Sequence, residues 1–327
     1  MTDTSQVQRR FPWILAIFLL ALLVPLLGSR YYTFLATDII IMALFAMSLN
    51  LLIGVTGLVS FGHAAYFGIG AYACGILMKA AGVPFLIAWL LGGLGAGAFA
   101  LVFGFFCVRL TSIYFSMLTL AFAQIVWAIC FKWNDVTGGE QGYPNVPLPS
   151  LDFMSVLPWV GNLRVGDKFY IVVLVLVALS FAAIRRIIDS PFGRMLTTLR
   201  DNAERAQFIG VNVRLYRLIA FALAGTFAGL AGGLFGVFNR GVFPDFCYWP
   251  KSAEVLIMTI LGGMYHFWGP TVGAATIIIL NQYIVSYTEY WPFVLGVILL
   301  ILLFAFPGGI VGALGALFKR MRARANA

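Results

Sequence analysis

Charged residues are scarce in this chain, since Asp, Glu, Lys and Arg make up only 10% of its 327 residues. Soluble domains carry about a quarter of such residues, so the composition excludes an ordinary soluble protein. Apolar residues make up 62% and form runs of about 20 residues, the length that an α-helix needs to cross a bilayer. We therefore predict an all-α, polytopic membrane protein that forms a single domain over residues 1–327.

The sequence also lacks the residue patterns that catalysis and cofactor binding need. It has only two histidines and four cysteines, with no CxxC or Cys/His spacing typical of a metal site. It contains no GxxxxGK[ST] phosphate-binding loop, no HExxH motif and no GxSxG motif. We expect no enzyme activity, no cofactor and no metal. If the protein moves a solute, the energy must come from an ion gradient or from an ATPase on another subunit.

The apolar runs predict about ten transmembrane helices. We place them at 12–28, 33–53, 61–79, 84–107, 113–131, 169–185, 217–238, 251–264, 270–287 and 291–306. The first run follows Arg9 and Arg10, and no small-x-small cleavage site follows it. We therefore interpret it as a retained helix and not as a signal peptide.

The basic residues predict the orientation of these helices. Seven arginines lie between residues 185 and 217, and four more basic residues lie between 319 and 324. Cytoplasmic loops of membrane proteins are enriched in Lys and Arg, so we expect both termini and the loop 186–216 to be cytoplasmic. The loop 132–168 and the segment 239–250 are then periplasmic, and both are candidate docking surfaces for an extracytoplasmic protein.

The loop 186–216 is the one long polar and basic interruption between apolar runs. Ser190 can cap a helix that begins at Pro191, and Gly210 can end it. We predict one short amphipathic helix, with one side formed by Met195, Leu199, Asn202, Ala206 and Ile209. Two interpretations of this helix remain open: it lies on anionic lipid headgroups, or it is a coupling helix that docks onto a cytoplasmic ATPase.

Polar residues inside apolar runs are candidates for a translocation pathway, because they are costly in a bilayer. His63 follows Ser60 in a glycine-flanked stretch where a helix begins or breaks, and a helix N-terminus there could face a substrate carboxylate. Alternatively, both side chains only bond loosened backbone. Glu254 either pairs with Lys251 on a helix surface or acts as a gate. The remaining candidates, each of which could instead be a packing hydrogen bond, are Asn50, Tyr66, Tyr114, Thr119 and Gln124.

Glycines at four-residue spacing predict close contacts between helices. Gly225, Gly229 and Gly233 share one helix face, and small faces of this kind let two backbones approach each other in a bilayer. The same glycines could permit helix rocking during transport.

Several short motifs occur in a fixed order over most of the chain. They are 50–54 (NLLIG), 56–65 (TGLVSFGHAA), Tyr114 with Phe115, 119–122 (TLAF), 137–139 (TGG), 192–194 (FGR), 200–202 (RDN), 210–213 (GVNV), 252–254 (SAE), 261–263 (LGG) and 268–270 (WGP). In these motifs the chain resembles the permease subunits, of LivM type, of branched-chain amino acid ABC importers. It departs from that pattern at 264–267, where a small-residue turn is replaced by MYHF.

The resemblance implies a permease that translocates branched-chain amino acids or a related small solute, using ATP hydrolysed by partner subunits. It implies a heterodimer with a homologous permease, two cytoplasmic ABC ATPase subunits and a periplasmic substrate-binding protein. It also favours the coupling-helix interpretation of the loop 186–216. On that interpretation the ATPase-coupling residues are Phe192, Gly193, Arg194, Arg200, Asp201, Asn202, Glu204 and Gly210.

Other functions stay open at this point. Relatives of the family carry urea, amides or aromatic acids, so the motifs leave the substrate undecided. An ion-coupled secondary transporter would need charged residues deep in several spans, where Glu254 is nearly alone. A structural anchor would have spans without polar breaks, contrary to the stretch 50–63. We expect no nucleic-acid partner, because the basic residues are confined to short loops.

Overall fold

A computed structural model of the protein describes residue 25 and residues 29–110, 112–149, 164–306, 308–313 and 315. The protein is α-helical and polytopic within this part of the chain. Five described helices are long and apolar enough to cross a membrane: Arg30–Thr56, Phe85–Cys107, Ile113–Lys132, Val165–Asp189 and Val213–Phe238. Two shorter apolar helices are Gly269–Val285 and Pro292–Leu302.

The helices follow the predicted order. They are α1 (Arg30–Asn50), α2 (His63–Lys79), α3 (Phe85–Cys107), α4 (Ser112–Lys132), α5 (Asn134–Thr137), α6 (Val165–Asp189), α7 (Pro191–Asp201), α8 (Ala203–Phe208), α9 (Val213–Phe238), α10 (Trp249–Gly262), α11 (Gly269–Val285) and α12 (Trp291–Ala305). A π-helical turn, Leu51–Thr56, continues α1, and 3₁₀ turns cover Gly139–Gln141 and Pro244–Cys247.

Nine of the ten predicted spans coincide with these helices to within four residues at either end. The predicted span 12–28, apart from Pro25, and the basic residues of both termini lie outside the described residues. The total of ten spans therefore stays a prediction.

Helix α9 lies at the centre of the closest packing, between α2 and α3. Its predicted glycine face makes this approach: a Cβ at Gly225 or Gly229 would overlap the methyl groups of Ala100 and Ala96 on α3. A Cβ at Gly70 on α2 would overlap the backbone of Gly229. Because glycine has no side chain, the helix backbones approach each other closely here, as expected for helices that associate in lipid.

Two segments that join the spans pack against each other. The short strands β1 (Tyr143–Pro144) and β2 (Gly241–Val242) pair antiparallel. The amide of Val146 donates to the carbonyl of Arg240 at 3.0 Å. The described part of the loop 132–168 and the segment 239–250 thus form one surface, although they are about a hundred residues apart in the chain.

The prediction of one continuous helix in the loop 186–216 is wrong. The structure has two helices, α7 and α8, because Asn202 leaves the helical conformation at φ −160° and caps the second helix. Its side-chain oxygen accepts a hydrogen bond from the amide of Arg205 at 2.8 Å. The predicted apolar side is consequently split: Leu199 and Ala206 are buried, whereas Ile209 is 73% exposed.

Candidate functional site

The polar stretch that the sequence marked lies between α1 and α2. The π-helical turn ends at Gly57, whose φ of 76° is one that glycine adopts without strain. Gly62 then precedes α2, and a Cβ there would overlap the carbonyl of Thr119 on α4. The helix is therefore interrupted inside the bundle. In many proteins, π-helical turns and unwound backbone of this kind mark functional sites.

His63, the first residue of α2, is completely buried. Its Nε2 lies 2.8 Å from the hydroxyl of Ser48, and that hydroxyl donates to the carbonyl of Phe45 at 2.7 Å. In the arrangement where Ser48 donates to Phe45, it accepts from Nε2–H, and in the neutral ring Nδ1 is then an acceptor. Nδ1 has no hydrogen-bond partner among the described residues. The ring stacks on Phe45, with centroids 5.5 Å apart.

Helix α10 reaches the same place. The hydroxyl of Ser252 accepts a hydrogen bond from the amide of Ala64 at 2.8 Å. Two turns further along the same face of α10, the Thr259 hydroxyl donates to the carbonyl of Val255 at 2.8 Å and lies 3.3 Å from the carbonyl of Ala46. Buried polar contacts thus join α1, α2 and α10 around His63. Two further buried oxygens of the stretch, Asn50 Oδ1 and Ser60 Oγ, have no partner among the described residues.

The other predicted pathway residues divide into two groups. Thr119 belongs to the break, because its hydroxyl accepts from the amide of Phe61 at 3.3 Å. Tyr66 is buried beside His63, with ring centroids 6.1 Å apart. Gln124 is half-buried on α4, and Tyr114 is 69% exposed on the outside of the bundle. The structure therefore brings Thr119 and Tyr66 to His63, and it does not bring Tyr114 there.

Glu254 forms an ion pair with Lys251, whose Nζ lies 2.8 Å from Glu254 Oε2. Sequence reasoning missed a third charge beside this pair, Asp38 of α1, which is half-buried and subject to the electric fields of both residues. No hydrogen bond or ion pair within the described part of the chain reaches the Asp38 carboxylate. An acidic residue in an otherwise apolar run was the signal that could have identified it.

Aromatic side chains hold the helices around these charges. Phe34, one turn before Asp38, packs on Phe238 of α9 with centroids 4.6 Å apart. Lys251 lies over the ring of Phe235, 5.3 Å from its centroid. The charge cluster therefore sits where α1, α9 and α10 meet.

The polar segment between α6 and α9 is held by four local contacts. Ser190 accepts from the amide of Gly193 at 3.3 Å, which starts α7 as predicted. A Cβ at Gly193 would overlap the last carbonyls of α6, so α7 turns back tightly from that helix. Phe192 stacks on Tyr216, with centroids 5.5 Å apart. Asn212 caps α9 by accepting from the amide of Leu215 at 3.2 Å.

The eight predicted coupling residues do not share one surface. The exposed ones are Arg194, Asp201, Asn202, Glu204 and Gly210. Gly193 is buried, and Phe192 and Arg200 are half-buried against their own subunit. The two most exposed apolar side chains of the segment, Phe208 at 90% and Ile209 at 73%, were not among the predicted coupling residues. Adjacent large apolar residues in a polar loop were the signal for them.

Comparisons with known proteins agree with this architecture. The model of the family described as "Branched-chain amino acid transport system / permease component" matches residues 31–303. The chain belongs to this family. No solved structure matches the chain.

Relatives of this permease are found in bacteria and archaea. The high-affinity branched-chain amino acid transport system permease protein LivM of Escherichia coli K12 is 28% identical over 325 residues, which cover 94% of this chain and 76% of the relative. The corresponding LivH of the same strain is 25% identical, with 83% and 91% covered. The probable LivM of Methanocaldococcus jannaschii is 23% identical, with 62% and 61% covered.

Proposed function

We propose that this permease is the membrane-spanning, non-catalytic subunit of an ABC importer for branched-chain amino acids or a closely related small solute. Family membership and the names of its relatives support the solute class. The observation that carries the coupling role is the exposed apolar pair Phe208 and Ile209, at the end of a segment whose helices are capped and joined tightly to two spans. Such a pair is unfavourable in water and forms a suitable anchor for a partner groove.

The expected partners are two cytoplasmic ATPase subunits, a second, homologous permease and a periplasmic substrate-binding protein. The similarity of this chain to both LivM and LivH of one strain supports a pair of homologous permeases. In this assembly the segment 186–216 faces the cytoplasm of a bacterium, and its exposed pair Phe208 and Ile209 contacts the ATPases. The paired segments 132–168 and 239–250 face the periplasm and receive the binding protein.

The orientation in the inner membrane follows from the basic segments. With the proposed ten spans, both termini would lie in the cytoplasm together with the arginine-rich loop, and the positive-inside rule supports this arrangement. Asp201, Asn202 and Glu204 lie exposed beside the apolar pair. Acidic and amide groups at this place favour a protein partner over anionic lipid headgroups, which would repel two carboxylates.

The decisive experiment purifies the permease pair with its ATPases and measures binding-protein-dependent uptake of labelled leucine into proteoliposomes. We expect uptake that requires ATP and is unaffected by collapse of ion gradients. Excess valine or isoleucine should compete, whereas urea, amides or phenylalanine should not. If only urea, amides or phenylalanine competed, the protein would carry one of those solutes instead. Uptake driven by an ion gradient without ATP would refute the proposal of an ABC importer.

The docking surface has its own test. The double substitution F208A/I209A should weaken ATPase binding about tenfold or more, because truncating an interface anchor typically costs about 2 kcal/mol. Gln207→Ala, an exposed change in the same helix, should leave binding within about twofold. The measurement is the amount of ATPase that co-purifies at increasing dilution. Equal retention by both variants would contradict the assignment of this surface.

A further inference from the structure

The end of the α1 helix is completed by a residue from the distant polar segment. Three carbonyls of the π-helical turn accept hydrogen bonds from nearby residues. The hydroxyl of Thr56 donates to Leu51, the amide of Leu58 donates to Leu52, and the amide of Gly57 donates to Ile53. The next carbonyl, that of Gly54, accepts a hydrogen bond from the guanidinium of Arg200, 146 residues away. A cation at this position also complements the negative end of the helix dipole. The side chain of Arg200 therefore caps the C-terminal end of the π-helical turn that continues α1.

The side chain of Arg200 is fixed along its whole length. Its stem packs on Gly57, where an added Cβ would lie 2.8 Å from Arg200 Cγ. Its Nε and one terminal nitrogen bond Asp201 at 3.2 and 3.1 Å, which orients the guanidinium toward α1. The guanidinium also lies over the ring of Tyr265, 5.4 Å from its centroid. Only 29% of the side chain remains exposed.

Tyr265 connects this contact to a second span. It lies in the turn between α10 and α11, in the stretch 264–267 where the sequence departs from the family pattern. A Cβ at Gly54 would overlap the carbonyl of Met264, so this turn also packs directly on the π-helical turn. Helix α7, the end of α1 and the end of α10 thus meet at Arg200.

We infer that Arg200 is a positioning residue that transmits movement of the α7–α8 segment to the helix break after α1, and that it does not contact the ATPase. This inference rests on the proposed function and assigns the coupling step to a named contact. Helices α1 and α10 are the two helices that carry Ser48 and Ser252, the hydrogen-bond partners of the first turn of α2. A displacement of α7 through Arg200 therefore reaches the His63 cluster without any flexible loop between them.

The transmission test compares Arg200→Ala with Arg200→Lys and with a matched control, Arg186→Ala, which removes an exposed arginine at the end of α6. Each variant is studied in the complete complex in proteoliposomes. We expect R200A to retain ATPase co-purification and basal ATP hydrolysis, while leucine taken up per ATP hydrolysed falls about tenfold, within the usual range of allosteric coupling. R200K should recover part of this ratio, since it keeps the charge, and R186A should match the wild type.

A structural readout that needs no transport accompanies this test. Backbone amides in peptides covering residues 51–62 should exchange with deuterium about tenfold faster in R200A, because a capping hydrogen bond is lost. Exchange in the control should be unchanged. If the R200A permease itself is misfolded, as shown by a lowered melting temperature without the ATPases, Tyr265→Leu takes its place. This change removes the ring beneath the guanidinium, and we expect the same direction of change in leucine taken up per ATP.

Two results would overturn the inference. The first is a loss of ATPase co-purification in R200A equal to that of F208A/I209A, which would make Arg200 a docking residue. The second is unchanged uptake per ATP or unchanged exchange of residues 51–62. Failure of the proposed function would look different, because the wild-type complex would then take up no leucine while the exchange effect of R200A persisted.

Discussion

Asp38 presents the sharpest problem at the scale of single residues. An ionised carboxylate within a span is costly in hydrocarbon, so intramembrane acids normally face other protein groups or a water-filled pathway. Lys251 is the cation whose charge acts on Asp38, and it is already paired with Glu254 at 2.8 Å. We therefore expect the half-exposed Asp38 to face other protein groups or a water-filled pathway, and not lipid.

The prediction at this scale separates function from stability. Asp38→Leu should change the free energy of unfolding by no more than about 0.5 kcal/mol, since no described residue loses a hydrogen bond. It should nevertheless lower leucine uptake about tenfold, the effect of losing one charge-assisted contact. Melting temperature and uptake of the purified complex measure the two effects. Glu289→Leu, at an exposed position between α11 and α12, serves as the control. Normal uptake by D38L would show that the charge plays no part in transport.

Helix α9 sets the packing at the scale of elements. Gly225, Gly229 and Gly232 face alanine methyl groups or backbone of α2 and α3, so there is no volume into which a methyl group could move. By contrast, Gly95 on α3 has no atom within 4 Å of its Cβ position. These glycines have two interpretations, static packing and helix rocking during transport. Both require this close contact, and they differ only in whether α9 moves against α2 and α3.

The prediction for these elements uses that contrast. Gly70→Ala should lower the free energy of unfolding by about 1–3 kcal/mol, because overpacking forces the backbones of α2 and α9 apart. Gly95→Ala should stabilise the protein by up to about 1 kcal/mol through better helix propensity. Thermal melts of the solubilised permease complex give both values. Equal melting temperatures for the two variants would mean that α2 and α9 do not approach as closely as the structure has them.

The orientation in the membrane belongs to the scale of the whole molecule, and the buried cysteines make it measurable. Cys74, Cys107, Cys130 and Cys247 are all buried. Cys247 lies outside the membrane-spanning helices, and its hydrogen bond with Cys130, followed by burial, raises the pKa of its thiol well above the ordinary value. A protonated, buried thiol reacts slowly with maleimides, so the unmodified protein provides a silent background.

Two single substitutions then report the orientation. Glu140→Cys, in the segment proposed to be periplasmic, should react with a membrane-impermeant maleimide in intact cells. Glu204→Cys, in the segment proposed to be cytoplasmic, should react only after the membrane is permeabilised. Both side chains are exposed, so a difference in labelling reports the side of the membrane and not burial. The reverse pattern would invert the orientation and exclude ATPase docking at Phe208.

Local properties of the chain were sufficient to predict the class, the family and the position of the main elements. Spans depend on the length of an apolar run and orientation on nearby charge, and both are readable residue by residue. Helices were accordingly predicted correctly at nine of the ten positions, and so was the N-cap at Ser190. The stretch 50–63 was predicted as a break because its glycines and polar residues interrupt an apolar run.

Only the tertiary structure decided which side chains meet. It divided the polar loop into α7 and α8 at Asn202, joined His63 to Ser48, placed Asp38 beside Glu254, and turned Arg200 inward to Gly54. These partners are chosen by packing between helices that are distant in sequence, and no local pattern encodes that choice. The sequence determined which segments are long and apolar enough to cross a membrane, whereas the fold determined which of their side chains are in contact.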